Sequence, residues 1–334
     1  MKVDGELPMG MDRIASRIQD MAQAGYTGAQ TIETGHDPFL PLVLAAEHSQ
    51  NIDLITAIAV AFARNPMNLA AIGNDLNAYS QGRFILGLGS QIKAHIEKRF
   101  SMPWSKPAAR MREIILAMRA IWANWYDGEP LNFRGEFYQH TLMTPVFTPT
   151  TSEFGPPRVF IAAVGPLMTQ VAADCCEGML VHPLTSTRYL REHTLPVIEK
   201  GLAARGLSRS DFELSYPVFV VSGKTEEDFK KTDRAIRERI AFYASTPAYK
   251  RVLETHGWET LQPELNQMSK RGLWAEMGGL IDDTILDTFA VVGEPKDIVP
   301  KIRARYTGLV DRITINFSYA DPEERPALIR ELAA

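Results

Sequence analysis

The sequence has few cysteines, no long apolar run and no excess of charge of one sign. Cys175 and Cys176 are its only cysteines and are neighbours, which excludes the spaced disulfide framework of small secreted proteins. No apolar run reaches the roughly 18–20 residues that a membrane span needs, and no signal-peptide core opens the chain. With 36 basic and 40 acidic residues, the net charge of −4 provides no basic surface for nucleic acid. We therefore expect a cytoplasmic protein that binds neither nucleic acid nor membrane.

Several common catalytic motifs are also missing. The sequence contains no His-x-His pair at a first strand, no HExxH and no Cys/His cluster, so we expect no metal site. It contains neither the G-x-S-x-G elbow of serine hydrolases nor a phosphate-binding P-loop. Cys175 falls in a predicted helix, where packing is a better interpretation than nucleophilic catalysis.

What the sequence does contain is an alternation of short apolar runs with longer amphipathic ones. This pattern is typical of parallel βα units, and 45% of the 334 residues are hydrophobic. Eight strands without an exposed edge predict an α/β fold, a (β/α)8 TIM barrel with insertion segments, in which residues 1–334 form one domain. The predicted strands are Lys2–Leu7, Ala29–Glu33, Asp53–Phe62, Phe84–Leu88, Arg158–Ala163, Gly178–His182, Glu213–Val221 and Asp311–Phe317.

Two segments depart from the βα alternation. Leu131–Tyr138 predicts an inserted hairpin. Ser245–Asp287 predicts a helical insertion between strands seven and eight, and its tryptophans indicate that it packs against the barrel mouth. Together with Phe62 and Trp104, this insertion would line an apolar, partly aromatic pocket.

The loop after strand two carries candidate groups for proton transfer. In an α/β barrel the working residues lie at the carboxyl ends of the strands. Glu33 and His36, three residues apart on a loop rich in Gly and Pro, fit acid–base catalysis at that place. The alternative is that Asp37 caps the next helix and His36 is a surface residue.

The ends of strands three and four fit the binding of a flat ring. Ala57 and Ile58 lie where small residues alternate with branched ones, although ordinary barrel packing explains the same pattern. Gly89, Ser90 and Gln91 follow strand four. They do not make a dinucleotide fingerprint, because Ile92 replaces the third glycine, but they suit a loop whose polar groups contact a ligand.

The end of strand five predicts an anion site. Small residues lead directly into a helix, whose free N–H groups and positive dipole end favour a phosphate. The alternative is an ordinary helix start. This turn comprises Ala163, Val164, Gly165 and Pro166. His182, at the end of strand six, would lie beside the turn and hold a phosphate or ring carbonyl, or only satisfy a local hydrogen bond.

Six segments, taken in order, resemble the bacterial luciferase-like superfamily, and more closely its branch of coenzyme F420-dependent oxidoreductases. They span nearly the whole chain: Arg64–Pro66, Gly82–Gln91 (GRFILGLGSQ), Phe133–Tyr138 (FRGEFY), Ala162–Pro166, Glu177–Pro183 (EGMLVHP) and Val291–Val299 (VVGEPKDIV). The resemblance implies a barrel that is commonly a homodimer, with an isoalloxazine-type ring at its carboxyl-terminal mouth. It also implies a non-prolyl cis peptide near Ala57-Ile58 and a phosphate-binding turn at Ala163–Pro166.

Two departures from the family pattern bear on the cofactor and the mechanism. Flavin monooxygenases of the family commonly carry Glu-His-His after strand two, whereas this chain has Glu33-Thr34-Gly35-His36. We therefore favour coenzyme F420 over FMN. Many deazaflavin dehydrogenases place a glutamic acid after the strand-four glycines, where this chain has Gln91-Ile92, so their proton donor does not carry over.

The leading functional hypothesis is hydride transfer between coenzyme F420 and a small organic substrate, with His36 or Glu33 moving the proton. The second is an FMN-dependent monooxygenase that works with a separate reductase. The third is a non-catalytic flavin-binding barrel, and the fourth is an unrelated barrel lyase or isomerase, because fold alone does not fix function.

Overall fold

A computed structural model describes all 334 residues and contains a closed barrel of eight parallel strands. The strands are β1 (Lys2–Glu6), β2 (Gly28–Thr31), β3 (Asp53–Thr56), β4 (Phe84–Gly89), β5 (Arg158–Ala163), β6 (Gly178–Val181), β7 (Glu213–Pro217) and β8 (Arg312–Thr314). Their order around the barrel is β3-β2-β1-β8-β7-β6-β5-β4, and β3 pairs with β4 to close the ring. The predicted (β/α)8 TIM barrel is confirmed.

Helices surround this barrel, and the connection after each strand contains at least one helical turn. The predicted cap at Asn65 is present, since its side chain accepts the Met67 N–H at 2.9 Å. The α-helices are Ile14–Ala24, Leu40–Glu47, Pro66–Tyr79, Lys93–Lys98, Pro107–Asp127, Pro166–Cys175, Thr187–Tyr189, Leu195–Ala204, Glu226–Ala244, Lys250–Glu254, Leu261–Lys270, Trp274–Met277, Asp283–Phe289, Pro295–Tyr306 and Arg325–Ala333. None of them is both long enough and apolar enough to cross a bilayer.

Two of the predicted strands are each divided into two separate segments, and the last one is shortened to Arg312–Thr314. β3 ends at Thr56, and the chain then re-enters the sheet as a separate short strand, Ala59–Val60, beside the end of β4. β7 ends at Pro217, after which Phe219–Val221 pairs with Ala290–Val292 outside the barrel. The predicted runs were continuous because strands inside and outside the barrel are both buried and therefore equally apolar.

The two segments predicted as insertions form a short hairpin and a group of short helices. The hairpin pairs Phe133–Arg134 with Gln139–His140, later than predicted. The carboxylate of Glu113 fixes its turn by accepting three backbone N–H groups at 2.6–2.9 Å. Four short helices fill residues 250–289 and contribute to a second cluster of 17 buried apolar residues beside the barrel core. The assignment of the whole chain to one domain stays a prediction.

The amino-terminal half of the barrel interior is filled by an ion-pair network centred on Arg312, which is fully buried. Its guanidinium contacts Asp4 at 2.8 Å, Asp53 at 3.0 Å and Glu213 at 2.7 Å. Burial alone would raise the pKa of Glu213, but the positive charges of Arg312 and Lys2 outweigh it and lower that pKa. Above this network lies an apolar layer of Ile55, Ile85, Phe160 and Leu180, which separates it from the mouth.

Candidate active site at the barrel mouth

The alternation of side chains along the barrel strands determines which residues face the mouth. Asp4 points inward to Arg312, and the Cα of Gly5 faces outward to Met21 and Tyr26. Glu6 therefore points inward, and it is exposed at the carboxyl end of β1. On the other strands, every second residue after an inward-facing one such as Phe160 or Leu180 also points inward. The remaining positions that face the mouth are therefore Ile32, Ala57, Gly87, Gly89, Ala162, His182, Pro217 and Asn316.

The ends of β3 and β4 meet closely at one side of the mouth. The Ala57-Ile58 peptide bond is cis, at the position that the resemblance implies. A Cβ atom on Gly89 would lie 2.8 Å from the Ile58 side chain, and one on Gly87 would lie 1.8 Å from the carbonyl oxygen of Thr56. Position 87 therefore requires glycine, and at position 89 a larger residue would displace the Ile58 side chain. The result is a wall of small residues along β3, β4 and β5.

The loop after β4 turns sharply and satisfies its own polar groups. Gln91 has a left-handed backbone, with φ of 59°. Its Oε1 accepts the Ile92 N–H at 3.0 Å, while the Ser90 hydroxyl donates to the Gln91 carbonyl at 3.1 Å. Because Oε1 is occupied, the side-chain amide of Gln91 offers N–H donors to a ligand and no acid.

The turn after β5 exposes a helix amino terminus. Gly165 is the cap of helix Pro166–Cys175, has an ordinary φ of −87°, and has no atom within 4 Å of where a Cβ would stand. The N–H groups of Leu167 and Met168 have no backbone acceptor. The predicted anion site therefore has both open space and free donors. The side chain of Ala163 is buried and Val164 packs against the second cluster, so a ligand would meet only their backbone.

His182 lies at the end of β6 between the barrel and the inserted helices. Its ring stacks on Tyr249 at a centroid distance of 4.2 Å and contacts the edge of Tyr243 at 4.6 Å. Its Nδ1 accepts the Leu184 N–H at 3.1 Å. Burial lowers the pKa of His182 to about 3, so the ring is neutral and carries its proton on Nε2. The Tyr249 contact places the short helix Pro247–Tyr249 against His182, and the covering of the mouth by the insertion stays a prediction.

Glu33 and His36, the predicted proton-transfer residues, lie in different environments. Glu33 is buried; its carboxylate accepts the Val60 N–H at 2.6 Å and pairs with Arg64 at 2.6 Å. Asp37 caps the following helix by accepting the Phe39 N–H at 2.8 Å. His36 is exposed and makes no side-chain hydrogen bond. Glu33 is thus positioned to hold Arg64 and the chain after Ile58, and the catalytic role of both residues stays a prediction.

The predicted pocket lining is wrong at Phe62. Its side chain is fully buried, with Trp104 against its edge at 5.5 Å and the guanidinium of Arg110 over its ring at 5.0 Å. Phe62 therefore forms part of the core beneath these residues. Sequence reasoning also missed Glu6 and Asn316 at the mouth; the alternation Lys2, Asp4, Glu6 along one strand was the signal that would have identified the first.

A comparison with protein families decides the classification. The model of the luciferase-like monooxygenase family matches residues 3–312. The chain belongs to this family. The resemblance to the luciferase-like superfamily is therefore confirmed. The prediction that the protein is an oxidoreductase is confirmed with it.

This luciferase-like protein is similar to proteins of known and of unknown activity. An uncharacterized protein of Mycobacterium tuberculosis is 52% identical over 323 residues, 97% of this chain and 95% of the relative. The 5,10-methylenetetrahydromethanopterin reductase of Archaeoglobus fulgidus is 28% identical over 267 residues, 78% of this chain and 75% of the relative. The structure of a coenzyme F420-dependent tetrahydromethanopterin reductase from Methanopyrus kandleri aligns with a TM-score of 0.77 and 22% identity, over 98% and 96% of the two chains. That last likeness establishes the fold.

Proposed function

We propose that this luciferase-like protein transfers a hydride between coenzyme F420 and a small organic substrate. The observation that carries the proposal is the convergence at one barrel mouth of a wall of small residues and a free helix amino terminus. The wall includes Ala57 and Ala162, whose small side chains would let a flat ring lie close to the strand ends, while Ile58 covers Gly89. The terminus at Gly165 has free N–H groups for a phosphate.

The residues present fit a deazaflavin coenzyme. The segment Ala57-Ile58 would support the ring, the N–H groups after Gly165 would bind the phosphate, and the Nε2–H of His182 would donate to a ring carbonyl. When bound, such a coenzyme supplies a ring carbon that accepts or donates a hydride. The protein would exclude water and orient the substrate against that carbon, with the inserted helices covering the mouth near Tyr249.

Two observations favour coenzyme F420 over FMN. The loop after β2 reads Glu33-Thr34-Gly35-His36, without the paired histidines that the resemblance associates with flavin monooxygenases. The similar Methanopyrus structure is also that of a coenzyme F420-dependent enzyme. The second candidate is an FMN-dependent monooxygenase with a separate reductase, which the name of the family favours. The proposal further includes a cytoplasmic location, which the composition favours, and a homodimer, which the resemblance implies.

Replacing Gly165 with Asp should weaken coenzyme F420 binding about 10- to 100-fold, because a carboxylate beside the phosphate adds direct charge repulsion. The dissociation constant can be measured by fluorescence titration. The matched control is Gly165→Ala, which fits the open space and ordinary φ at this position and keeps its N–H. If wild type and Gly165→Asp bind coenzyme F420 with equal affinity, the phosphate does not bind at this turn and the proposed site is contradicted.

A further inference from the structure

One carboxylate stands alone among the residues that face the barrel mouth. Glu6 is exposed at the end of β1, and its side chain makes no hydrogen bond and no ion pair. The other inward-facing mouth positions carry no acid: they are Ile32, Ala57, Gly87, Gly89, Ala162, His182, Pro217 and Asn316. Among the strand positions that face the mouth, Glu6 is therefore the only one with a carboxyl group.

The other carboxylates of the barrel are engaged in structural contacts. Asp4, Asp53 and Glu213 surround Arg312 beneath the apolar layer and cannot reach the mouth. Glu33 is buried against Arg64 and the Val60 N–H. Proton transfer by any of them would break a buried ion pair and leave its partner charge uncompensated. Glu6 takes part in no such contact, so the fold does not depend on its carboxylate.

The neutral groups at the mouth do not substitute for this carboxylate. His182 is held neutral by burial, with Nδ1 already accepting a hydrogen bond, so it offers a donor and no base. Gln91 carries no ionisable proton, and its Oε1 is occupied. The inward-facing strand positions and Gln91 thus provide hydrogen-bond donors to orient a ligand, and Glu6 provides a group for acid–base chemistry.

We propose that Glu6 is the catalytic residue that exchanges a proton with the substrate; this inference rests on the proposed hydride transfer. In the oxidative direction, a C–H bond of the substrate breaks and its hydride passes to the oxidised deazaflavin. The adjacent O–H bond breaks as its proton passes to the Glu6 carboxylate, and a C=O bond forms. In the reductive direction, protonated Glu6 would return the proton to the carbonyl oxygen, forming the O–H bond, while the carbonyl carbon takes up the hydride that a bound reduced deazaflavin would supply.

The position of Glu6 can be tested without knowing the substrate. Carboxyl groups are coupled to glycine ethyl ester with a carbodiimide, with and without saturating coenzyme F420, and the modified peptides are quantified by mass spectrometry. We expect the coenzyme to reduce labelling of Glu6 by about tenfold or more. Glu331 is the internal control: it is exposed on the carboxyl-terminal helix, which ends beside Met1 at the opposite end of the barrel. Equal labelling of Glu6 in both samples, with F420 shown to be bound, overturns the inference.

The chemical role of Glu6 is tested with Glu6→Gln, which keeps the size of the side chain and removes its acid. With alcohols and aldehydes that wild type turns over, we expect kcat to fall about 10²-fold or more while the dissociation constant of F420 changes less than about twofold. Glu331→Gln should match wild type in both. Undiminished kcat in Glu6→Gln overturns the inference and leaves the proposed function standing. Absence of F420 binding to wild type would instead overturn the proposed function, and this inference with it.

Discussion

Replacing Arg312 with Met should lower the free energy of unfolding by about 3–5 kcal/mol, because it leaves buried carboxylates without their counter-charge. Arg312 is fully buried and contacts Asp4, Asp53 and Glu213 within 3.0 Å. Methionine fills much of the same volume, so the loss comes mainly from the uncompensated charges. Removing one partner of a buried ion-pair network lowers stability by more than the net contribution of the intact network, because the remaining partners are left unsatisfied.

Urea-induced unfolding of the purified proteins measures this effect at neutral pH. Arg234→Met is the matched control, since it removes an exposed arginine whose only ion pair is with Glu238 on the same helix; the expected change is below about 1 kcal/mol. Because Arg312 holds the pKa of Glu213 low, its stabilisation is present above the ordinary carboxyl pKa and is lost as pH falls through the folded-state pKa. The difference between wild type and Arg312→Met should therefore shrink in acid. A variant as stable as wild type would contradict this account of the barrel interior.

Replacing Gly87 with Ala should destabilise the protein by about 3 kcal/mol and also reduce coenzyme affinity. The added Cβ would lie 1.8 Å from the carbonyl oxygen of Thr56, a backbone atom that cannot rotate away. Thr56 also exchanges hydrogen bonds with Gly87 through its hydroxyl, at 2.8 and 2.9 Å. The substitution must separate β3 from β4, where the barrel closes and where the Ala57-Ile58 segment begins.

Thermal unfolding and F420 titration of the same samples give the two readouts for Gly87→Ala. Gly165→Ala is again the control, since it adds the same methyl group at a mouth position with no atom within 4 Å. We expect the control to retain wild-type stability. If Gly87→Ala unfolds at the wild-type temperature, the close contact between β3 and β4 does not constrain this position.

The barrel was predictable because its signals are local. Apolar runs such as Asp53–Phe62 indicate buried parallel strands. Asn65-Pro66 predicts a helix start, and the structure contains the predicted cap. The breaks after Thr56 and Pro217 were not predictable, because burial on both sides makes consecutive strands read as one apolar run. The short motifs were informative about the family because of their order along the chain, from the helix start at Asn65-Pro66 to the strand Ala290–Val292 outside the barrel.

The site was only partly predictable because its contacts join residues distant in sequence. The turn at Gly165 was identified from its own residues, since small side chains before a helix are a local pattern. The ion pair between Glu33 and Arg64 depends on how two successive loops pack against each other. In the sequence alone, a carboxylate that forms such a pair cannot be distinguished from one that is free for catalysis. Likewise Asp4 and Glu6 look alike in sequence, although one neutralises Arg312 and the other faces the mouth without a partner.

The most direct test of the account is a titration of the wild-type protein with coenzyme F420 and, separately, with FMN, followed by fluorescence and calorimetric heat. The account predicts that F420 binds at about micromolar concentration and that FMN binds at least about tenfold more weakly, a difference of about 1.4 kcal/mol. The reverse preference would contradict the deazaflavin assignment and favour a flavin monooxygenase. Binding of neither compound would contradict the ring site at Ala57, Gly89 and Gly165.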